Sequence, residues 1–537
     1  MSNKQQYKQY IEPPEVLGCI GEYVDFYALM RGDSEAVVFG ESRISYRQLK
    51  EDIDKCAKAM LAFGVRKGDR VAVLCTPRTD YWVLFLAATR IGAIWVGLNP
   101  KFKLNEIRYI VSDCQPKLLF SLSQFECRKY GEDVAALQKE NPRITNAIAI
   151  EGEINTALGF PDFLKEAERV SNEHYQASIN IVEASDSALI VYTSGTTGQP
   201  KGAVLSHHGL TSGATMQTTH LDIDYPVVVV NFPINHVACV ADTCATTLVK
   251  GGKIVFQERF DVTASLQAIE DEQCTMLGGI PTMLQMQLDH PGFKDFDLSS
   301  LELVAWGGAA MPRDGIARLQ GIAPRLMQLY GMTETSANIV FGKEGAGIDE
   351  LADSIGRPDA GVECRIVDVG GDNCPVGESG ELQFKTDYFF LEYWNRPEAS
   401  REAFTADGWL KTGDIGLWRM DGNIELVGRM SEMFKSGGDN VYPREVEVVL
   451  EGVPGVAMAA VIGVPDDLYQ EVGFAFILLE QGQMISAEKL RAACKEKLAN
   501  YKVPKQFEIR PDLPMLPVGK IDRQALKKIV AISREIG

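Results

Sequence analysis

Hydrophobic positions in the first part of the chain recur at the spacing of helices that alternate with short strands. Between residues 49 and 60, apolar side chains follow at helical intervals, and Ser45 precedes them with Gln48 in the S-x-x-Q pattern of a capping box. Gly64 stands where such a helix would end. A helix after Ser45 is therefore predicted.

The same alternation continues for about seventy residues. Strands and helices are predicted in turn at 71–74, 81–91, 94–96, 104–111 and 118–120. Alternating units of this length indicate an α/β fold with doubly wound sheets, which bind ligands at the carboxyl ends of their strands. Between residues 127 and 184 the pattern weakens, and this segment is predicted to be connecting structure.

A second group of elements follows Ser431. Strands are predicted at 457–464 and 474–479 and a helix at 488–498, within about a hundred residues, which is enough for a small domain. We therefore predict a large N-terminal domain over 1–429 and a small α+β C-terminal domain over 430–537.

Composition narrows the class of protein. A chain of 537 residues is too long for one core, and its net charge of −19 would repel a nucleic-acid backbone, so nucleic acid is excluded as a partner. The eleven cysteines form no C-x-x-C pair, and no secretion signal or apolar run of about 20 residues is present. A cytoplasmic protein without integral membrane contact is expected, and its oligomeric state is unknown.

The segment 192–202, Y-T-S-G-T-T-G-Q-P-K-G, has the composition of a phosphate-binding loop. Its hydroxyls and glycines allow many donors to approach a polyphosphate, and Lys201 adds a compact positive charge. Pro200 replaces the second glycine of a Walker A motif, which disfavours a kinase or GTPase. A solvated strand-to-helix turn is the alternative. The candidate nucleotide-binding residues of the loop are Thr193, Ser194, Gly195, Thr196, Thr197 and Gly198.

Four further segments carry candidate chemistry. In Q-L-Y-G-M-T-E-T-S at 328–336, a carboxylate and a hydroxyl on a turn suit Mg²⁺, which prefers hard oxygen ligands. The segment 303–311 is an apolar strand that ends in two glycines. Asp414 lies in a predicted glycine-flanked turn, K-T-G-D-I-G, and is by itself consistent with a simple Asx turn. Lys520, in P-M-L-P-V-G-K-I-D-R, is by itself consistent with a surface charge.

These motifs, in this order from about residue 45 to 523, resemble those of the adenylate-forming enzymes. This superfamily includes acyl-CoA synthetases, coumarate-CoA ligases, luciferases and peptide-synthetase adenylation domains. The resemblance implies ATP, Mg²⁺ and coenzyme A as cofactors and co-substrates, and a C-terminal domain that is mobile. It departs at Ser431, where the family usually has a hinge Asp or Lys, and at Gly437, where it often has a further lysine.

The resemblance also implies roles for individual residues. The implied catalytic residues are Lys520, Lys201, Thr333 and Glu334, with Glu334 also the metal ligand. The implied nucleotide contacts, besides the loop, are Gly308, Ala309, Ala310, Tyr330, Asp414, Arg429, Lys435 and Asn440. The implied acyl-site residues are His236, Val237, Trp306, Gly307, Gly331 and Met332, and those along the thiol path are Gly437 and Gly438.

The function that follows is an AMP-forming acyl-CoA synthetase. It converts a small carboxylic acid and ATP into an acyl-adenylate and pyrophosphate, and then CoA displaces AMP. An enzyme that loads a carrier-protein thiol is the first alternative, although Val237 stands where amino-acid-activating domains place an Asp. A luciferase-like oxidation has no support in the sequence. A non-catalytic nucleotide-binding regulator is disfavoured because Lys201, Glu334, Asp414, Arg429 and Lys520 are all present. The acid is not readable from the sequence; Trp306, His236 and the apolar segment 278–286 favour a medium-chain, aryl or alicyclic acid.

Overall fold

The computed structural model describes residues 11–13, 15–193, 199–466, 468–480, 482–515 and 521–536. The chain forms two compact units, the first made of Met1–Ile348 with Thr386–Glu402 and the second of Asp349–Lys385 with Ala403–Gly537. This grouping differs from the predicted division after Arg429, since 349–385 and 403–429 pack with the C-terminal residues. The predicted boundary after Arg429 marks which part of the chain moves relative to the rest, and it stays a prediction.

The first unit contains two large sheets, which confirms the predicted α/β class. One sheet is parallel in its centre, and its strands in spatial order are Asn338–Phe341, Arg325–Gly331, Leu303–Gly307, Met276–Gly279, Val227–Val230, Lys253–Phe256, Glu35–Phe39 and Ser42–Ser45. The other has the order Glu392–Tyr393, Lys201–Ser206, Ser187–Thr193, Ile94–Leu98, Arg70–Leu74, Leu118–Ser121, Asn146–Ala149 and Leu158–Gly159.

Helices connect and cover these strands. The α-helices of the first unit are Ile20–Met30, Tyr46–Ala62, Thr79–Arg90, Leu104–Cys114, Gly131–Glu140, Phe160–Lys165, Asn172–Ile179, His207–Leu221, Thr246–Val249, Val262–Glu272, Pro281–Leu288, Arg313–Leu319 and Pro397–Glu402. Ile348–Asp353 follows at the junction, and Ala238–Ala245 is π-helical.

The predicted helix after Ser45 spans Tyr46–Ala62, and the Ser45 hydroxyl accepts a hydrogen bond from Gln48 N at 3.3 Å. The reciprocal half of the capping box is absent, because the Gln48 side chain donates to Asp52 Oδ1 at 2.9 Å.

The prediction for 127–184 was wrong. Asn146–Ala149 pairs in parallel with Leu118–Ser121 as a further sheet strand, and helices surround it. The apolar run of the strand Asn146–Ala149 is too short to show a hydrophobic period in the sequence.

The second unit contains two smaller sheets. One is antiparallel, with strands Glu363–Val367, Ser379–Lys385, Leu410–Trp418 and Ile424–Arg429. The other contains Asp439–Val441, Phe434–Ser436, Gln470–Leu479, Val456–Asp466 and Gln506–Arg510. Helices Pro443–Glu451, Ala487–Lys497 and Arg523–Ile536 complete this unit, which confirms the α+β character of the C-terminal part.

Candidate active site

The predicted phosphate-binding loop connects two strands of a hairpin, not a strand and a helix. Ser187–Thr193 and Lys201–Ser206 pair antiparallel, with Thr193 opposite Lys201. The predicted residues Ser194, Gly195, Thr196, Thr197 and Gly198 lie outside the described residues. Thr193 and Lys201 therefore mark the two ends of the loop, at the edge where the strand Ser187–Thr193 ends.

One helix, Leu104–Cys114, holds both ends of this loop. Tyr192, just before the loop, donates its hydroxyl to Asp113 Oδ2 at 2.7 Å, and Tyr109 donates to the carbonyl of Pro200 at 2.8 Å. Arg396 contacts both helix residues, with 3.3 Å to Asp113 Oδ1 and 3.2 Å to the Tyr109 hydroxyl. Burial raises the pKa of Tyr192, so it stays a neutral donor. No pattern in the sequence indicated this anchor.

The second motif forms a buried turn at the end of Arg325–Gly331. Thr333–Thr335 is a 3₁₀ turn, and Ser336 closes it with a left-handed φ of 63°. The Thr335 hydroxyl accepts a hydrogen bond from Met332 N at 2.9 Å and fixes the turn. Glu334 is only 6% exposed, so its carboxylate is held inside the protein beside the carboxyl end of the strand.

Tyr393 joins the two motifs and was missed by the sequence analysis. Its hydroxyl donates to Glu334 Oε1 at 2.6 Å, and Lys201 Nζ lies 5.0 Å from the centre of its ring. A backbone hydrogen bond joins the same two segments, since Phe390 N donates to the backbone carbonyl of Glu334 at 2.9 Å. The structure thus brings Lys201 and Glu334 to the same side chain. Tyr393 lies about sixty residues from Glu334 in a segment without periodicity, so no spacing pattern could reveal the contact.

Glu334 fits the predicted magnesium site by its chemistry. A buried carboxylate whose Oε1 already accepts one hydrogen bond offers a hard oxygen to a cation. Across the described parts of the chain, no group of three or more His, Cys, Asp or Glu side chains forms a metal cage. Mg²⁺ is commonly bound by one or two carboxylates together with substrate phosphates and water, so one carboxylate such as Glu334 can contribute to its binding.

Several buried polar atoms near the two motifs lack partners among the described residues. They are Asn235 Oδ1, Trp306 Nε1, Gln328 Oε1 and Ser336 Oγ. Buried polar atoms are rarely left unpaired, and a bound water, a bound ion or a catalytic role can account for such exceptions. The predicted adenine segment lies beside them: Leu303–Gly307 ends in exposed Gly308, whose φ is 81°, and Ala309.

Trp306 is completely buried in the sheet. Its strand neighbours Leu303 and Ala305 pack in a cluster with Leu221, on the side of helix His207–Leu221. Because side chains alternate along a strand, Trp306 points to the other face. Whether that face borders the acid stays a prediction, as does the role of Gly307, Gly331 and Met332.

His236 and Val237 immediately precede the π-helical segment. His236 is half-buried, and its Nδ1 accepts a hydrogen bond from Ala238 N at 3.1 Å, while Val237 is buried. A π-helix is rare and is frequent at functional sites. The hydrogen bond from Ala238 N orients the imidazole of His236. The contact of His236 with the acid stays a prediction.

In the second unit, Asp414 and Arg429 lie opposite each other on neighbouring strands, and Arg429 Nε is 2.7 Å from Asp414 Oδ1. Asp414 is in the strand Leu410–Trp418, so the predicted turn was wrong. The glycines on either side of Asp414 suggested a turn, but sheet pairing determines the conformation here. The adjacent pair is compatible with the predicted ribose contact, because a buried carboxylate and a half-exposed guanidinium meet at one point.

The segment that follows the predicted hinge at Ser431 is a hairpin of Phe434–Ser436 and Asp439–Val441. Lys435 pairs with Asn440, and Gly437 and Gly438 form its turn with φ values of 65° and 96°. All four residues are exposed. Lys520 lies outside the described residues, but the segment after it is fixed: Arg523 forms a double ion pair with buried Glu447 and a 3.0 Å contact with Glu432.

Comparison with known proteins agrees with these motifs. The profile of the AMP-binding enzyme family matches residues 26–394, and that of the AMP-binding enzyme C-terminal domain matches 445–520. A feruloyl-CoA synthase of an Amycolatopsis sp. is 34% identical over 92% of this chain and 95% of its own. A long-chain fatty-acid–CoA ligase of Mycobacterium tuberculosis is 31% identical over 90% of this chain and 93% of its own.

Solved structures show the same similarity. An anthranilate CoA ligase in complex with anthranoyl-AMP has a TM-score of 0.85 at 25% identity, and covers 97% of this chain and 99% of its own. The ATP-bound MatB of Rhodopseudomonas palustris has a TM-score of 0.81 at 26% identity, over 94% and 98%. The chain therefore belongs to the AMP-binding enzyme family of the adenylate-forming superfamily and is an AMP-forming acyl-CoA synthetase, an acid–thiol ligase that uses ATP, Mg²⁺ and coenzyme A.

Proposed function

We propose that Lys201, Glu334 and Tyr393 form the core of the adenylation site in this acyl-CoA synthetase. The observation that supports this most directly is the contact of Tyr393 with both other side chains, at 2.6 Å to the carboxylate and 5.0 Å from ring to ammonium. A positive charge and a cation-binding carboxylate held at one point suit a triphosphate. Thr333, on the same buried turn, supplies a hydroxyl to a phosphate oxygen.

The first half-reaction joins the acid to AMP. A carboxylate oxygen attacks the α-phosphorus of ATP, an O–P bond forms, and the bond to pyrophosphate breaks. Attack requires in-line positioning and neutralisation of charge on the leaving group. Lys201, Lys520 and the donors of the loop perform that neutralisation, and Glu334 holds the Mg²⁺, which when bound screens the phosphate charges. Asp414 and Arg429 hold the ribose, and Tyr330 with 308–310 borders adenine.

The second half-reaction transfers the acyl group. The thiol of CoA attacks the acyl carbon of the mixed anhydride, the C–O bond breaks, and AMP leaves with that electron pair. AMP is a weakly basic leaving group, so no protein nucleophile is needed. The hairpin with Gly437 and Gly438 borders the thiol path, and Lys435 and Asn440 lie near the nucleotide or acyl group. Rotation of 430–537 about Ser431 converts the arrangement for adenylation, with Lys520 at the site, into the arrangement for thioester formation, with the hairpin at the site.

The acid site is assigned to the surroundings of His236, Val237, Gly331 and Met332, between the π-helical segment and the first sheet. Relatives of this chain bear names that range from feruloyl-CoA synthase to long-chain-fatty-acid–CoA ligase. For this protein we propose an aryl, alicyclic or medium-chain acid as the substrate. A cytoplasmic location agrees with eleven free thiols, and no helix in the described part of the chain is long and apolar enough to span a bilayer.

A product screen tests the proposal. The protein is incubated with ATP, Mg²⁺, CoA and pooled short, medium, aryl and alicyclic acids, and products are identified by mass spectrometry. New acyl-CoA masses with AMP are expected. Acyl-adenylates without thioesters would indicate a carrier-protein acceptor instead.

The split of roles is tested by Lys520→Ala. This variant should lose most of the adenylation rate and retain thioester formation from a supplied acyl-adenylate. Normal adenylation by the variant would contradict the role of Lys520. Absence of any adenylate in the wild-type screen would favour the non-catalytic alternative.

A further inference from the structure

The chain on both sides of Lys201 is held by hydrogen bonds from other elements. Before Lys201, the carbonyl of Pro200 accepts the Tyr109 hydroxyl at 2.8 Å. After it, the carbonyl of Gly202 accepts Trp394 N at 2.7 Å. The backbone of Lys201 is therefore fixed from both directions, which restricts the space that its ammonium group can reach.

A further contact comes from Tyr192, which lies opposite Gly202 in the hairpin. Gly202 permits a close approach, because a Cβ atom at this position would lie 3.1 Å from the Tyr192 ring. The Tyr192 hydroxyl donates to Asp113 Oδ2 at 2.7 Å. Movement of the Asp113 carboxylate would therefore shift the ring against which the residue after Lys201 packs.

Asp113 occupies an unfavourable place for a carboxylate. It is the second-last residue of helix Leu104–Cys114, where the helix dipole is negative, and its side chain is only 11% exposed. Donors from another segment satisfy this helix end, since Trp394 Nε1 and Asn395 Nδ2 donate to the Asp113 carbonyl at 3.2 and 3.1 Å. A neutral side chain would suit the helix better, so the charge of Asp113 indicates a role beyond the fold.

Arg396 joins the contacts that hold the two sides of Lys201. Its Nη1 lies 3.3 Å from Asp113 Oδ1, and its Nη2 donates to the Tyr109 hydroxyl at 3.2 Å. One planar guanidinium thus fixes the carboxylate and the phenol relative to each other, which a single ammonium group does less well. The Arg396 side chain is 40% exposed, and ion pairs of exposed side chains contribute little to stability.

We propose that Arg396 is a positioning residue for adenylation, which acts through Asp113 and Tyr109 to place the Lys201 ammonium at the phosphates that ATP has and AMP lacks. The proposal rests on the role of Lys201 in the proposed function and deepens it. Arg396 therefore contributes to the binding of ATP and not to the binding of AMP.

Calorimetric titration with ATP and Mg²⁺, and separately with AMP, tests this role in the full-length protein. Arg396→Met should raise the dissociation constant of ATP about tenfold, the size of effect expected when a charge-assisted hydrogen bond is lost. The dissociation constant of AMP should stay within about twofold of wild type. Arg396→Lys should recover part of the ATP affinity, because one ammonium group can reach one of the two partners.

The effect of Arg396 should pass through Lys201. When Arg396→Met is added to Lys201→Met, ATP binding should weaken by less than about twofold further, whereas independent effects would multiply. Arg401→Met is the matched control. Arg401 lies on the adjoining helix Pro397–Glu402, and its 3.5 Å pair with Glu398 is exposed on both sides. Its ATP affinity should equal that of wild type.

Asp113→Asn separates the proposed role from a role in folding. We expect it to weaken ATP binding about as much as Arg396→Met, because the ion pair between the two side chains is lost. Its unfolding temperature should be kept or rise slightly, since a negative charge is removed from the negative end of a helix. A fall in unfolding temperature with unchanged ATP affinity would show that Asp113 only stabilises the fold.

The inference is overturned if Arg396→Met weakens ATP and AMP binding equally, or if it acts at full strength in the Lys201→Met background. ATP affinity of wild type in Lys201→Met would refute the proposed role of Lys201 and the inference with it. Because binding is measured without the acid, a protein that shows the expected binding but yields no adenylate in the product screen would refute the proposed enzymatic activity alone.

Discussion

Individual side chains in this protein act through partners that lie far away in the sequence. Glu334 accepts the Tyr393 hydroxyl at 2.6 Å, and Tyr393 also lies under Lys201. One phenol therefore orients two candidate catalytic groups. A hydrogen bond to a charged group contributes about 1.5–3 kcal/mol, which is enough to fix a carboxylate rotamer.

Tyr393→Phe should weaken this orientation. We expect the Mg²⁺ concentration for half-maximal pyrophosphate release to rise several-fold, because the Glu334 carboxylate is no longer held, and the rate of adenylation to fall about tenfold. Unfolding temperature should change little. Tyr501→Phe, in the second unit, is the control. An unchanged Mg²⁺ requirement in Tyr393→Phe would show that the bond is only structural.

Asp242 should make stability depend on pH. Burial raises its pKa from 3.8 to about 7, so the folded protein binds more protons than the unfolded chain between these values. Its contribution is present at low pH and is lost as pH rises to about 7, by at most about 4 kcal/mol. His207 opposes this, because burial lowers its pKa to about 4 and stability then rises with pH up to its ordinary pKa.

Asp242→Asn removes the first dependence and leaves the second. The unfolding temperature of the variant minus that of wild type should therefore increase between about pH 5 and about pH 8. The measurement is differential scanning calorimetry of both proteins at each pH. A difference that does not change with pH would show that Asp242 titrates normally.

At the scale of elements, tight turns and close packing place the candidate residues. The hairpin of Phe434–Ser436 and Asp439–Val441 turns through Gly437 and Gly438, both with left-handed φ. Two consecutive residues of this kind match the tight turns that suit the twist of a hairpin. The hairpin thus presents its exposed turn in a fixed form.

Gly438→Val should strain this turn by about 1–2 kcal/mol, because a β-branched residue is disfavoured at positive φ. If the turn borders the thiol path, thioester formation from acyl-adenylate should slow about tenfold while pyrophosphate release is retained. Gly377→Val is the control, since Gly377 has φ 87° and, like Gly438, open space around it. Equal slowing of thioester formation in Gly438→Val and Gly377→Val would show that backbone strain alone causes the effect.

At the scale of the whole molecule, the residues proposed for the chemistry are divided between the two units. Lys201, Thr333 and Glu334 belong to the first unit, and Asp414, Arg429 and the hairpin belong to the second. The proposed rotation about Ser431 lies within the second unit and would move the hairpin relative to Asp414 and Arg429 between the two half-reactions. Arg429 and Lys435 are exposed and flank that position.

Limited digestion with trypsin tests the rotation. Cleavage after Arg429 or Lys435 should differ several-fold between the protein with a non-hydrolysable acyl-adenylate and the protein with AMP and CoA, because the flanking segment changes conformation. Arg259, which is exposed in a loop of the first unit, should be cleaved equally in both states. Equal cleavage at all sites would contradict a hinge at Ser431.

Regular elements were well predicted where their period was visible. The helix after Ser45, the strand at 71–74 and the elements after Ser431 were confirmed to within a few residues. The segment 127–184 was not, because short strands carry too few residues to show a period. The turn predicted at Asp414 was a strand, since sheet pairing outweighed the local preference of glycine.

The sequence by itself determined the α/β class, the order of the motifs and the family, because these depend on local periodicity and on residue types at fixed spacing. Only the tertiary structure decided that Tyr393 joins Lys201 to Glu334, that Asp113 and Tyr109 hold the loop, and that Asp242 faces a cavity. These contacts join residues from about sixty to about 190 positions apart, or depend on how helix and sheet enclose a space. Such relations arise from packing in three dimensions, which no local pattern records.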